Sequence, residues 1–161
     1  MSHKTLDGAG TEARCPDCGA SWMDGITCQD HFHQMSAWEL EDPKRLGRVH
    51  HLMVLCFHMQ HPVLYSPDGL EMAKRLLIDF LVNSISPQEA RRRGQAALDS
   101  GRRKFKIKGT PVSHGAYLHP VQWTMTAADV TAGGMDRYCE NVEAWAQSVL
   151  EALGSAGELT Q

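Results

Sequence analysis

The sequence predicts an all-α fold: a small helical bundle with an N-terminal metal knuckle and one long irregular loop. Three observations carry this. Asp42-Pro43, Ser66-Pro67 and Ser86-Pro87 each place a capping side chain before a proline at a first helical position. Tyr138, Val142, Trp145, Val149 and Leu153 recur at helical spacing near the end of the chain. Strand-like alternation is confined to one short run, "KFKIK", at Lys104–Lys108.

The elements follow in order. Thr27 caps "CQDHFHQMSAWELE", with Asp30 completing a capping-box pattern. From Pro43 a second helix runs through "KRLGRVHHLMVLCFHMQ" and stops near His61, because Pro62 disfavours helix before it. Ser66-Pro67 opens a third helix, and Ser86-Pro87, with Glu89, opens a fourth. A fifth spans "DRYCENVEAWAQSVLEAL", with Gly154 as its expected cap. Between Gly101 and Thr126 the chain has no helical period and reads as a long ordered loop, a kind of segment that often carries function.

The chain has 161 residues, 42% of them hydrophobic, which fits a single domain with one sizeable core. The expected division is a flexible tail over 1–14, one helical domain over 15–154 and a second tail over 155–161. A net charge of −3 argues against a dedicated nucleic-acid or membrane-surface protein. Eight of the sixteen Lys and Arg fall between Arg91 and Lys108. Their ordinary explanation is a solvated helix end, so nucleic acid is an unfavoured partner. No apolar run approaches the ~20 residues a membrane span needs. The polar N-terminus lacks the apolar region of a secretory signal, so a cytoplasmic location is expected.

In such a reducing location, clustered cysteines point to metal. "CPDCG" brings Cys15 and Cys18 to one tight turn, with Gly19 relieving the backbone, and Cys28 is the natural third thiolate. Cys56 and Cys139 sit alone in apolar helical patterns and read as core residues. The fourth ligand has a local candidate, His31, one helical turn after Cys28. It also has distal candidates in "VHHLMVLCFHMQHP", residues 49–62. The very short connection at Glu41–Pro43 predicts antiparallel neighbours. Pairing Leu40 with about Lys44 brings Cys28 beside Cys56–His58, with His58 and His61 in reach.

On that second helix Leu46, Val49, Leu52, Met53, Leu55, Cys56, Phe57 and Met59 fill an apolar arc. His50, His51, His58 and His61 share the remainder with Val54. The rise per residue separates His50 and His51 from His58 by about 10–12 Å. Any function of the upper pair is therefore distinct from that of the lower.

"CPDCG", the following "TC", "VHHLMVLCFHMQHPVLYSPDGLEMA", "SPQEARRR" and "WTMTAADV" together resemble an uncharacterised bacterial domain-of-unknown-function family. The family's pattern runs CPxCG, C, VHHL, QHPxxYS and WTMT, and the resemblance spans nearly the whole chain. It implies no activity. It favours Cys15, Cys18, Cys28, His50, His51 and His61 over His31, His33 and His58, and so selects His61 as fourth ligand.

Two functions are compatible with these residues. The first is a small zinc protein whose Cys15, Cys18, Cys28 and His61 form a structural site, acting as an accessory or interaction module toward a protein or small-molecule partner. The second is a metal-dependent hydrolase or transferase. Its site would combine His50 and His51 with residues such as His114 or His119 of the 110–124 loop around an open metal. Three thiolates with one histidine make a closed set, and closed sets are structural, which favours the first.

Overall fold

A computed structural model describes residues 13–101 and 105–159. It is all-α, with no sheet among the described residues. The helices are α1 (Cys28–Glu41), α2 (Pro43–Leu46), α3 (His50–Gln60), α4 (Pro67–Leu81), α5 (Pro87–Asp99), α6 (Ala127–Ala132) and α7 (Tyr138–Ser155). Of the expected N-terminal tail, residues 1–12 lie outside the described residues.

Local chemistry starts most of these helices where it should. The Thr27 backbone N–H donates to Asp30 Oδ2 at 2.9 Å, and the Asp30 N–H donates back to Thr27 Oγ1 at 3.2 Å. Ser66 and Ser86 each accept the backbone N–H three residues on, ahead of α4 and α5.

The second expected helix, however, is two. A 3-10 turn over Gly47–Val49 separates α2 from α3. Gly47, a poor helix former, stands where the α-helical bonding ends, and the tighter turn buries both Leu46 and Val49. A sixth short helix, α6, follows Thr126, whose N–H donates to Asp129 Oδ2 at 2.8 Å. "KFKIK" forms no strand among its described residues. Lys108 makes an isolated antiparallel bridge with Tyr65.

The core gathers around α7. Tyr138, Val142, Trp145, Ala146, Val149 and Leu153 are buried on it and pack against α3, α4 and α6, while α1 packs on α6. The arc read for the second helix is the buried one: Leu46, Val49, Leu52, Met53, Leu55, Cys56, Phe57 and Met59 all lie in the core. Helix α7 runs through Gly154. Its left-handed cap falls at Gly157 (φ 74°), where the Glu158 N–H returns to the Leu153 carbonyl at 2.9 Å. Within the expected C-terminal tail, Glu158 is buried and pairs with Lys74 at 3.5 Å.

The long loop is anchored on the bundle by backbone and ring contacts. The Tyr117 hydroxyl donates to the Met59 carbonyl, and Lys74 lies 5.5 Å from the Tyr117 ring centroid. Gly115 N–H donates to the Tyr65 carbonyl at 2.7 Å. Gly109 sits so close to the 63–65 backbone that a Cβ there would come within 2.4 Å of the Val63 carbonyl.

Candidate metal centre

Helix α1 and helix α3 run antiparallel, and three contacts fix their register. Cys28 meets His61 at one end, the Phe32 and Phe57 rings meet at a tilt one turn further in, 4.7 Å between centroids, and Glu39 meets His50 at the other end. The first turn of α1 therefore lies beside the residue that leaves α3.

Cys15 and Cys18 approach from the other side on a knuckle. The Gly19 N–H donates to the Cys15 carbonyl at 2.9 Å, and the Cys15 N–H donates to the Ala20 carbonyl at 2.9 Å. Gly19 takes φ 75°, a left-handed conformation that costs glycine little. From residue 13 to residue 27 only Cys15, Cys18 and Ala20 are buried. Apart from Ala20 and the half-buried Trp22, the segment buries only its thiols.

The ligand atoms of Cys15, Cys18, Cys28 and His61 all lie within 4.8 Å of one another, and all four residues are buried. Cys18 Sγ to Cys28 Sγ is 3.6 Å, and Cys15 Sγ to His61 Nε2 is 3.4 Å. A tetrahedral zinc with bonds of about 2.3 Å to sulfur and 2.0 Å to nitrogen has edges of roughly 3.8 Å and 3.5 Å. The group therefore fits such an ion with little movement.

His61 is the first residue past α3, at φ −131° and ψ 66°, which turns its ring back toward the thiols. Its Nδ1–H donates to the Phe57 carbonyl at 2.6 Å, leaving the Nε2 lone pair to face the cluster. The Trp22 indole N–H donates to Cys28 Sγ at 3.4 Å, a contact that suits thiolate. The hydrogen bond from Cys18 is the main influence on Cys28 and holds it at about 4, while the same bond and burial push Cys18 up.

His31, His33 and His58 are occupied elsewhere. His31 Nδ1 pairs with Thr131 Oγ1 at 2.7 Å, joining α1 to α6, and His33 pairs with Gln29 at 3.0 Å. His58 is half-buried with its ring edge-on to Tyr65, 4.9 Å between centroids.

His50 and His51 stand together at the far end of α3 but do not join the loop histidines. His114 bonds the Gly115 carbonyl at 3.0 Å, and His119 lies against Glu158, with 3.4 Å from its Nδ1 to the carboxylate. The loop is anchored at Met59 and Tyr65, about 14 Å along α3 from His50. No residue of 110–124 lines the cavities that His50 and His51 line. The expected open site of His50 and His51 with His114 or His119 is therefore not assembled. The loop docks at the opposite end because Tyr117 and Gly115 bond the chain around the α3 terminus.

Sequence reasoning missed the partner of His50. Glu39 Oε2 is 2.6 Å from His50 Nδ1, and its other oxygen accepts the Tyr138 hydroxyl at 2.5 Å. Glu39 is buried on the face of α1 that also buries Cys28 and Met35. That helical spacing was the available signal for a carboxylate turned inward.

Fold and site define a class: a helical protein with a buried group of three cysteines and one histidine able to hold a metal ion. The chain belongs to the family of unknown function DUF5946, whose model matches residues 13–154. No curated protein and no solved structure matches it.

Proposed function

We propose that this is a zinc protein whose Cys15, Cys18, Cys28 and His61 form a structural centre, and that it acts in the cytoplasm as an accessory or interaction module. The observation that carries the reading is the closed donor set: four buried ligand atoms within 4.8 Å. Four protein ligands leave no position for water or substrate, and a soft set of three sulfurs and one nitrogen suits zinc. All five cysteines are free thiols, as a reducing location requires.

The centre pins the knuckle to the junction of α1 and α3. Structural zinc in small sites contributes on the order of 10 kcal/mol, comparable to the whole stability of a domain. A knuckle that buries little else depends on it.

The surface beside the centre supports the interaction reading. Val63 and Leu64 border a shallow groove with Trp22 and the metal-site residues. Met23, Ile26, Val63 and Leu64 are all exposed, apolar side chains that suit a protein partner.

Zinc content and thermal melting of Cys15→Ser/Cys18→Ser test the proposal. The double variant should lose its zinc and melt at lower temperature. Full zinc occupancy in it rejects the centre.

A further inference from the structure

Helix α5 is 13 residues long, and none of them is buried. A cavity of about 500 Å³ lies between it and α3 and α4. The floor is apolar: Val54 and Leu55 from α3, Leu76 and Phe80 from α4, with Ile85 from the connection. Its size falls within the range of small-molecule sites.

One end of this cavity is polar, and its donors lack partners. Arg91 of α5 makes no ion pair or hydrogen bond among the described residues, whereas its neighbours Arg92 and Arg93 both bind Glu89 at 2.7–3.0 Å. His51 makes no hydrogen bond either; its ring meets Phe80 edge-on at 4.5 Å. His50 commits Nδ1 to Glu39, so Nε2 is its remaining polar atom. The buried Glu39, fixed by Tyr138, holds that ring in one orientation. The acidic side chain on the lining, Asp79, accepts from Asn83 Nδ2 at 2.9 Å.

A divalent metal is not the natural occupant. Among the described residues the group of Cys15, Cys18, Cys28 and His61 is the one set of three or more close metal-ligating side chains. His50 and His51 have no third ligand.

We infer that the space between α5 and the α3–α4 face is a binding site for a small amphipathic monocarboxylate, its head on Arg91 and His51 beside the His50 ring and its apolar body on Val54, Leu76 and Phe80. Guanidinium matches carboxylate in a paired geometry that lysine cannot supply. The His51 imidazole adds a donor from the facing helix. An apolar body of on the order of eight carbons is small enough for such a cavity. Binding would seat α5 more firmly, since its inner residues such as Ala90 and Ala97 are only half-buried. This site is independent of the metal centre, which lies at the other end of α3.

The test uses octanoate as probe, with octanol and acetate as the tail and the head alone. Binding is read by calorimetry and by the imidazole resonances of His50 and His51. Amide exchange over 87–99 reports the seating of α5. Octanoate should bind saturably, shift both histidines and slow exchange in α5, with octanol and acetate at least tenfold weaker. Arg91→Gln should weaken octanoate at least tenfold, and Val54→Trp, which fills the floor, should abolish binding. Arg14→Gln, on the exposed knuckle at the other end of α3, should leave it unchanged. Each variant is first shown by circular dichroism to melt cooperatively. The absence of saturable octanoate binding to the wild type overturns the inference. So does equal affinity in Arg91→Gln, or equal affinity for octanol.

Discussion

The Nδ1–H of His61 donates to the carbonyl of Phe57 at 2.6 Å, four residues earlier and within the last turn of α3. That bond fixes the tautomer and the ring plane, so Nε2 faces Cys15 Sγ at 3.4 Å. His61→Ala should therefore release zinc or loosen it by at least tenfold. His31→Ala should retain the metal, because His31 serves Thr131 on α6. His50→Ala should retain it too, being about 16 Å away along α3. Chelator competition on the three single variants measures this. Metal loss in His31→Ala alone would make the knuckle a local site.

The three thiols were legible in the sequence from C-x2-C and Cys28; the short link at Glu41–Pro43 brought His58 and His61 within reach, and the family resemblance selected His61. The register was not legible. A direct turn pairs Cys28 with Cys56–His58, whereas the structure pairs it with His61. Helix α2 and the Gly47–Val49 turn add length to the connection and slide α3 past α1 by about one turn. Gly47 was the visible warning, as one glycine can convert α to 3-10 bonding without breaking the apolar pattern. Helix α6 was hidden at the end of an aperiodic loop. Thr126 and Asp129 spell its capping box, but six residues are too few to show a period. The role of Glu39 depends on Tyr138, 99 positions away in the chain, and no local pattern encodes that contact.

The core of α3 separates two substitutions. Leu52 and Cys56 are both buried, Cys56 fully. Cys56→Ala removes one sulfur and should cost about 1–2 kcal/mol, whereas Leu52→Asp puts a carboxylate among apolar side chains and should cost more than about 4 kcal/mol. Urea unfolding followed by circular dichroism distinguishes them. Equal destabilisation would contradict the placement of the apolar arc.

Tyr138 is a second point of leverage. Burial, then the bond to Glu39, pushes its phenol above the usual range, so it stays protonated and donates. Tyr138→Phe leaves Glu39 Oε1 buried without that donor and should cost about 1–3 kcal/mol. A lowered urea midpoint at neutral pH is the expected reading. A variant as stable as wild type would mean that water replaces the hydroxyl.

His51 makes stability depend on pH. Burial, then repulsion from His50 and Arg91, lowers its proton affinity in the folded chain. The unfolded chain binds the proton more readily, so stability rises with pH across this window. The loss begins as pH falls through about 6.5 and is complete below the folded value. His51→Gln should flatten the fall in melting temperature between pH 7.5 and pH 6. Parallel curves for variant and wild type would contradict the burial of this ring.

X-ray absorption at the zinc edge, on chain purified without added metal, addresses the central claim most directly. The expected spectrum shows one zinc per chain, with three sulfurs at about 2.3 Å and one nitrogen at about 2.0 Å. A chain without zinc, or zinc bound mainly by oxygen and nitrogen, would contradict a structural Cys15–Cys18–Cys28–His61 centre.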